Sequence, residues 1–282
     1  MDWAFASESV SGGFLSLSNL VKHAFVVCAF GENPHIESTI ESLEAQTVES
    51  KIVLSTSTPS EYLEEICSRH GIEMIVNPDR LGAGFDWNYG YNHAGAKWVT
   101  MAHQDDVYDK RFTERVLAVA DSYDLNSIQL LYTDYYELRN SEHVTSNTLL
   151  KGKRILNFPL RFRCLNGNRF VKRRVLSLGC PICCPAVTFN TTALGPSIFD
   201  TKYVNSCDYK TWVDLAGGRG RFVYIPEMLM GHRIYEGSAT TKNLGENIRK
   251  REDQEILSML WPKCIAAIIN HFYAYSEKSN VL

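Results

Sequence analysis

The stretch Lys97-Trp98-Val99-Thr100-Met101-Ala102-His103-Gln104-Asp105-Asp106-Val107 decides how the fold of this chain is interpreted. Its first six residues are largely apolar and partly β-branched, which predicts a short buried strand. Two carboxylates follow directly, and burying both is costly unless a cation neutralises them. A divalent ion such as Mg²⁺ or Mn²⁺ is the usual solution, and ligands of open α/β sheets collect at the carboxyl ends of strands. The alternative is a solvated turn in which an Asp caps a helix that begins near Lys110.

The segments around this stretch alternate between strand-like and helix-like patterns in the first half of the chain. Strands are predicted at residues 23–30, 51–55, 72–76 and 97–102, and helices at 35–47, 59–67, 86–96 and 110–121. Such alternation is typical of βαβ units, so the predicted class is α/β with a largely parallel sheet.

The second half of the chain is less regular. Its predicted elements are strands at 128–137, 186–190 and 221–226, a helix at 208–215, and amphipathic helices beyond 240. Pro226 is expected to end the last of these strands, and Pro262 to break the C-terminal helical region.

The composition is that of an ordinary globular protein. The 282 residues, of which 45% are apolar and 22% charged, suffice for a sizeable core. No apolar run has the length of a membrane span and the N-terminus lacks a secretory pattern, so a cytoplasmic protein is expected. The eight cysteines are expected to be reduced thiols, because a chain of this size does not depend on disulfides. Cys180 and Cys183 form a Cys-x-x-Cys pair without a second pair at zinc-site spacing, which argues against a structural zinc.

The charge is unevenly distributed, although the formal net charge is only −3. Nine basic residues and no acid fall between residues 151 and 174: Lys151, Lys153, Arg154, Arg161, Arg163, Arg169, Lys172, Arg173 and Arg174. Aromatic side chains, among them Phe158, Phe162 and Phe170, are interspersed with them. The segment is either a solvated face or a surface for anionic lipid headgroups or a phosphorylated acceptor. Nucleic acid is not expected as a partner, because the pI of the chain is about 6.3.

Several motifs of the first half resemble, in order and spacing, the nucleotide-binding half of family 2 glycosyltransferases, which have the GT-A fold. Residues 23–30 are similar to the first strand of that family, and residues 36–47 to its first helix, which often ends in Gln-Thr. Residues 82–99 are similar to the stretch that leads into the metal motif, and Gln104-Asp105-Asp106 to a variant of its Asp-x-Asp motif. With Asp208 and Arg233 further on, the resemblance covers about residues 23–240.

This resemblance implies a GT-A fold, a Rossmann-like α/β/α sandwich, with a C-terminal helical extension. The expected organisation is an N-terminal extension at 1–22, a glycosyltransferase domain at 23–240 and a helical segment at 241–282. Within the domain, residues 23–106 would form the nucleotide-binding half and residues 107–240 the acceptor half. The C-terminal helices could pack on the domain, on a second subunit of a homodimer, or on a membrane surface.

The resemblance also implies roles for individual residues of the metal motif and the late Arg-x-His-like segment. Asp106 would bind the divalent metal, Mn²⁺ or Mg²⁺, and Asp105 the metal or the ribose of a nucleotide-diphosphate sugar. Tyr235 stands where the family has its His, so His232 is a candidate metal ligand at a shifted position. Arg233 is a candidate contact of the pyrophosphate.

Nucleotide contacts are implied by the loops that follow the first strands. The candidates are Ala29, Phe30, Glu32, Thr56, Arg80 and Asp86. Thr56 lies in a Ser-Thr-Ser-Thr run where the family usually has an Asp, so a hydroxyl is expected to replace that contact unless it comes from elsewhere. For Arg80 and Asp86 a surface ion pair is the alternative role.

Asp208 stands where the family has its general base, the carboxylate that accepts the proton of the acceptor hydroxyl. Cys207 replaces the Glu that usually precedes this base. Capping of the following helix is an alternative role of Asp208. Asp200 and Asp214 are the competing carboxylates.

The implied activity is the metal-dependent, inverting transfer of a sugar from a nucleotide-diphosphate donor to a hydroxyl of a glycan or lipid-linked acceptor. Members with this motif variant commonly build bacterial surface polysaccharides at the inner face of the membrane, so peripheral membrane contact is expected. One alternative is a zinc-dependent sugar de-N-acetylase, whose Ala-His-Pro-Asp-Asp motif resembles residues 102–106, although Gln104 replaces the Pro and Val107 the following Glu. The other is a non-catalytic relative of the glycosyltransferases, because the Asp after the second strand is missing.

Overall fold

The computed structural model describes residues 20–140, 142–235 and 247–277. The strands are β1 (Val21–Ala29), β2 (Lys51–Thr56), β3 (Glu73–Val76), β4 (Ala96–His103), β5 (Val107–Tyr108), β6 (Ile128–Arg139), β7 (Glu142–Val144), β8 (Val187–Asn190) and β9 (Arg221–Ile234). The α-helices are α1 (Ile36–Glu44), α2 (Glu61–His70), α3 (Ala83–His93), α4 (Phe112–Ala120), α5 (Thr148–Asn157), α6 (Arg169–Val175), α7 (Cys207–Gly217), α8 (Asn247–Ser258) and α9 (Lys263–Glu277). Residues 1–19 of the predicted N-terminal extension lie outside the described residues.

The described strands form one sheet of nine strands, in the order β3-β2-β1-β4-β8-β6-β9-β5, with β7 paired to β6. Strands β1 to β4 pair in parallel and are connected by α1, α2 and α3, as their alternation in the sequence predicted. Beyond β4 the sheet is mixed, since β8 is antiparallel to both β4 and β6, whereas β9 is parallel to β6. The predicted α/β class is therefore confirmed, with a parallel first half and a mixed second half.

Both faces of the sheet are covered, because successive side chains of its strands enter two different cores. In β1, Ala24 and Val26 pack into one apolar core, whereas Phe25 and Val27 pack into the other. All four side chains are fully buried. Burial on both faces explains why β1 is a continuous apolar run instead of an alternating one.

Pro226 does not end β9, contrary to the prediction. The strand continues to Ile234, and its pairing with β6 skips Pro226 and Glu227, which form a bulge between Ile225 and Met228. The N–H that proline lacks is not needed at a bulge, so the strand continues on the far side. This continuation carries β9 to the carboxyl end of β4.

The C-terminal helices break at Pro262, as predicted, and their described part packs on the domain. Ile256, Leu257 and Tyr273 are buried in the same core as one face of β1. The contact is close at Gly179, where an added Cβ would lie 2.4 Å from the Tyr273 ring and where φ is +130°. Of the three predicted packing partners, the domain is therefore the one that the described residues contact.

All eight cysteines are free thiols, as expected from the size of the chain. Six of them are buried or partly buried, and burial raises the pKa of thiols such as Cys67. None of the helices in the described ranges is long and apolar enough to cross a lipid bilayer.

Candidate active site

The candidate active site lies at the carboxyl end of β4, where the two carboxylates follow His103. Asp106 is fully buried, and its Oδ1 accepts hydrogen bonds from His232 Nδ1 (3.0 Å) and from the backbone N–H of Arg233 (2.8 Å). These partners lie 126 and 127 residues further along the chain. They meet Asp106 because β5, directly after it, pairs antiparallel with the part of β9 that precedes His232. The residue before α4 is Arg111, whose side chain forms no cap, so neither Asp of the motif caps that helix.

The side chains of His103, Asp105 and Asp106 fit a divalent metal ion. Each offers one ligand atom, and these atoms lie within 4.8 Å of one another. Two buried atoms, Asp106 Oδ2 and His103 Nε2, have no hydrogen-bond partner among the described residues. Buried polar atoms without a partner are rare, because each costs the free energy of its lost hydration. A cation coordinated by carboxylate oxygen and imidazole nitrogen would compensate both atoms.

The protonation states of these side chains suit metal binding. Burial alone would raise the pKa of Asp106, but His232, His103 and the backbone N–H of Arg233 hold it below its usual range. Burial lowers the pKa of His103 to about 4, so its ring is neutral at physiological pH and keeps a lone pair. Burial lowers the pKa of His232, but the charge and the hydrogen bond of Asp106, together with the charge of Asp105, outweigh this effect and raise it. His232 therefore lies beside Asp106 as its hydrogen-bonded partner, and its role as a ligand stays a prediction.

Asp105 has a different set of partners. The Tyr235 hydroxyl lies 3.2 Å from its Oδ2 and accepts a hydrogen bond from Asn33 Nδ2 (2.9 Å). Burial, together with the charge of Asp106, raises the pKa of Asp105 to about 6. Arg233 Nε donates to the Asp105 carbonyl oxygen (2.8 Å), which ties the end of β9 to the motif. His232 and Tyr235 are the two candidates for the family's His position. His232 contacts Asp106, and Tyr235 contacts Asp105.

The predicted nucleotide contacts lie on loops that are connected beside the motif. Gln104 holds the loop after β1, since its Oε1 accepts from the Phe30 N–H (3.1 Å) and its Nε2 donates to the Phe30 carbonyl (3.2 Å). The Gly31 N–H donates to Thr58 Oγ1 (2.7 Å), which lies 3.2 Å from Thr56 Oγ1. The loops after β1, β2 and β4 therefore meet at one edge of the sheet.

Arg80 and Asp86 also lie at this edge. The Arg80 guanidinium is 5.1 Å from the centroid of the Phe30 ring, and Phe30 is 57% exposed. Asp86 accepts hydrogen bonds from the Ser57 hydroxyl (2.7 Å) and the Asn77 amide (2.8 Å). Neither Arg80 nor Asp86 forms an ion pair with another described residue, and the nucleotide contact of each stays a prediction. Of the remaining two candidates, Ala29 is buried and Glu32 is exposed.

Asp208 is the second residue of α7, and its Oδ1 lies 2.7 Å from the backbone nitrogen of Tyr209. The residue that precedes the helix is Ser206, so Asp208 is not its N-cap. Burial raises the pKa of the Cys183 thiol, and the charges of both Asp106 and Asp208 add to this effect. The charges of the candidate base and of the motif carboxylate therefore both act on the Cys183 thiol.

The two carboxylates that compete with Asp208 are neutralised. Lys210 Nζ forms ion pairs with Asp200 Oδ2 (3.3 Å) and Asp214 Oδ2 (2.5 Å). Cys207, at the position of the family's Glu, is 2% exposed and packs in the core. Asp208 therefore stays the candidate base of this segment.

Comparison with known proteins identifies the family of the chain. The profile described as Glycosyl transferase family 2 matches residues 24–185, which is more than half of the chain. The chain belongs to this family. No curated protein sequence matches this glycosyltransferase.

Solved GT-A glycosyltransferases share the fold at low sequence identity. The mannosyltransferase PcManGT from Pyrobaculum calidifontis, in complex with GDP-Man and Mn²⁺, has a TM-score of 0.58 and 13% identity, over 91% of this chain and 70% of that one. Residues 1–349 of S. aureus TarS give a TM-score of 0.58 and 13% identity, over 90% of this chain and 72% of that one. The complex of TarS residues 1–349 with UDP-GlcNAc gives a TM-score of 0.53 and 13% identity, over 86% of this chain and 72% of that one. The GT-A fold implied by the sequence is thus confirmed.

His103 is a site residue of this glycosyltransferase that the sequence analysis connected only with the hydrolase alternative. Its ring is stacked on Trp87, with centroids 5.2 Å apart, and its Nδ1 lies 4.0 Å from Asp106 Oδ2. The available signal was its position at the end of a predicted strand, three residues before Asp106. Because the chain belongs to a glycosyltransferase family, the hydrolase alternative loses its support, and His103 becomes a candidate residue of a transferase site.

Proposed function

We propose that this glycosyltransferase transfers a sugar from a nucleotide-diphosphate donor to a hydroxyl group, with inversion at the anomeric carbon and with bound Mn²⁺ or Mg²⁺. The observation that supports the metal most directly is the pair of buried atoms without partners, Asp106 Oδ2 and His103 Nε2, next to Asp105. When bound by these side chains, the cation would stabilise the charge that develops on the diphosphate leaving group.

The proposed donor class is supported by the ligands of the structural relatives and by the connected loops. PcManGT is described with GDP-Man and Mn²⁺, and TarS with UDP-GlcNAc. In the protein described here, the exposed Phe30 ring offers an aromatic face for the nucleotide base, with Arg80 beside it. Asp105 and Arg233 would then lie toward the ribose and the diphosphate.

Asp208 is proposed as the general base. In an inverting displacement the acceptor oxygen attacks the anomeric carbon while its proton passes to a base within hydrogen-bond reach. Asp208 suits this role because it is partly exposed, and because its charge acts on the same Cys183 thiol as the charge of Asp106. Its position in the first turn of α7 favours the ionised carboxylate that a base must be.

The proposed acceptor is a glycan or lipid-linked saccharide of bacterial surface polysaccharide synthesis, used by a cytoplasmic enzyme at the inner face of the membrane. Six of the nine basic side chains between 151 and 174 form hydrogen bonds within the protein: Lys153, Arg154, Arg163, Lys172, Arg173 and Arg174. The other three, Lys151, Arg161 and Arg169, are exposed, as is Arg163. A membrane contact surface that includes all nine basic side chains is therefore larger than the structure supports.

The membrane contact is proposed for the turn after α5. Phe158 is 50% and Phe162 is 41% exposed, and the Arg161 guanidinium lies 5.3 and 5.5 Å from their ring centroids. Aromatic rings beside a cation suit the interface of an anionic bilayer. The triple variant Phe158→Ser, Arg161→Gln, Phe162→Ser should lose sedimentation with anionic liposomes, and wild-type binding should weaken with salt. The control Val204→Ser, at a site that is 62% exposed, should bind as wild type, and equal binding of the triple variant would refute this surface.

Calorimetry with a panel of GDP- and UDP-sugars, with and without Mn²⁺, tests the proposed function. Nucleotide binding should require the metal, and Asp106→Asn should abolish this requirement together with most of the affinity. Asp124→Asn, which changes an exposed carboxylate away from the motif, should bind as wild type. Metal-independent binding in wild type, or unchanged binding in Asp106→Asn, contradicts the proposed metal site. Zinc retained without nucleotide affinity would instead support the de-N-acetylase alternative.

A further inference from the structure

Lys153 of α5 is a partly buried cation that has no carboxylate within ion-pair distance among the described residues. Its Nζ donates one hydrogen bond, to the Tyr135 hydroxyl (2.9 Å), and lies 5.5 Å from the centroid of that ring. The next residue differs, because Arg154 Nε donates to Asp134 Oδ2 at 2.6 Å. The fold therefore supplies a counter-ion for one of two consecutive bases and leaves the other with a neutral phenol.

The acid that follows Tyr135 on β6 does not serve as this counter-ion. Glu137 is 1% exposed, and its Oε2 accepts hydrogen bonds from Arg139 Nε (3.0 Å) and Asn147 Nδ2 (2.9 Å). An ammonium group has three N–H donors, and removing it from water without an anion is costly. Tyr135 is 5% exposed and belongs to a central strand, so it holds Lys153 in place. Lys153 is thus a fixed cation with donors to spare.

Lys153 lies beside the candidate active site. The Tyr135 ring is 6.2 Å from the ring of His232, the hydrogen-bonded partner of the metal motif. Burial raises the pKa of the Cys183 thiol, while the charge of Lys153 lowers it and that of Asp208 raises it. The charges of Lys153 and Asp208 therefore both act on the Cys183 thiol.

We propose that Lys153 binds an anionic group of the acceptor, a phosphate or a carboxylate, next to the hydroxyl that Asp208 deprotonates. This inference rests on the proposed function, because it places the acceptor hydroxyl at Asp208. The donor diphosphate is the competing anion, because β6, which carries Tyr135, pairs with β9, which carries Arg233, and nucleotide binding by Lys153→Met distinguishes the two. The preferred acceptor of the enzyme is accordingly an anionic saccharide or polyol.

Small anionic alcohols test the site without knowledge of the natural acceptor. Saturation-transfer NMR with glycerol phosphate, glycerate and glycerol, in EDTA and at constant ionic strength, measures binding without metal. Lys153→Met should weaken binding of the favoured anion on the order of tenfold to a hundredfold, as loss of a charged hydrogen bond does. Lys153→Arg should retain most of the affinity, and Lys151→Met, an exposed base on the same helix, should behave as wild type. Neutral glycerol should not distinguish the variants.

Three outcomes overturn the proposal. Lys153→Met binds the anions as wild type does, wild type binds neither anion, or Lys153→Met loses tenfold or more in Mn²⁺-dependent nucleotide affinity. The last result would assign Lys153 to the donor diphosphate. A wild type that binds the anions but no nucleotide would reject the proposed donor chemistry and leave the anion site at Lys153 intact, so the two failures are distinguishable.

Discussion

Replacement of His23 by glutamine should make the stability of the protein less sensitive to acid. The His23 ring is 2% exposed, and its two nitrogens lie 2.9 Å from Ser50 Oγ and 2.9 Å from Thr100 Oγ1. One ring edge also contacts Phe25, with centroids 4.6 Å apart. Burial lowers the pKa of His23 to about 3, so the folded protein holds a neutral imidazole.

The direction and the size of this pH effect follow from the pKa of His23 in the folded and in the unfolded protein. The folded-state pKa of His23 lies near 3 and the ordinary value is 6.5, so the unfolded chain binds the proton first as the pH falls. Stability contributed by the neutral ring is complete above pH 6.5 and is lost progressively down to about pH 3. The difference of about 3.5 units corresponds to about 5 kcal/mol at most, of which about 2 kcal/mol is lost by pH 5.

Urea unfolding at pH 8, 7, 6 and 5 measures this effect. His23→Gln should be less stable than wild type at pH 8, because the packing and hydrogen bonds of the ring are lost. Between pH 8 and pH 5, however, its free energy of unfolding should fall by about 2 kcal/mol less than that of wild type. His93→Gln removes an exposed histidine and should leave the pH dependence unchanged. A difference between wild type and His23→Gln that is the same at every pH would refute the reasoning.

Three further substitutions have outcomes that the structure predicts. Asp208→Asn should lower kcat by about two to four orders of magnitude with donor affinity nearly intact, and turnover close to wild type would exclude it as the base. Lys172→Met should lower the free energy of unfolding by about 2 to 4 kcal/mol, measured in urea, because the buried Lys172 donates from Nζ to the carbonyls of Gly220 (2.7 Å) and Gly218 (3.2 Å). Gly179→Ala should loosen the packing of the C-terminal helices, because the φ of +130° and the nearby Tyr273 ring leave no room for a Cβ. Faster tryptic cleavage of these helices would show the effect, and unchanged cleavage would contradict it.

Local pattern was sufficient for the first half of the fold. The apolar runs of β1, β2 and β4 and the helices between them could be predicted because the hydrophobic pattern of each segment indicates its type. The metal motif could be located for a related reason, since two carboxylates directly after a buried strand need a cation wherever the rest of the chain lies. The break at Pro262 likewise depends only on the chemistry of proline.

Tertiary contacts decided the rest of the site. His232 and Arg233 reach Asp106 only because β9 passes Pro226 through a bulge and pairs with β5. Asp200, the competing carboxylate, forms an ion pair with Lys210 that no local pattern indicated.

The basic segment was the largest difference between sequence and structure. Its nine charges predicted one surface, yet side chains such as Lys172 are buried and Lys153 lies beside Tyr135. A sequence pattern reports how one element divides its side chains between water and core. Which distant strand or helix supplies the partner depends on the register and order of the whole sheet, because that partner lies up to 202 residues away and only folding brings it within hydrogen-bond distance.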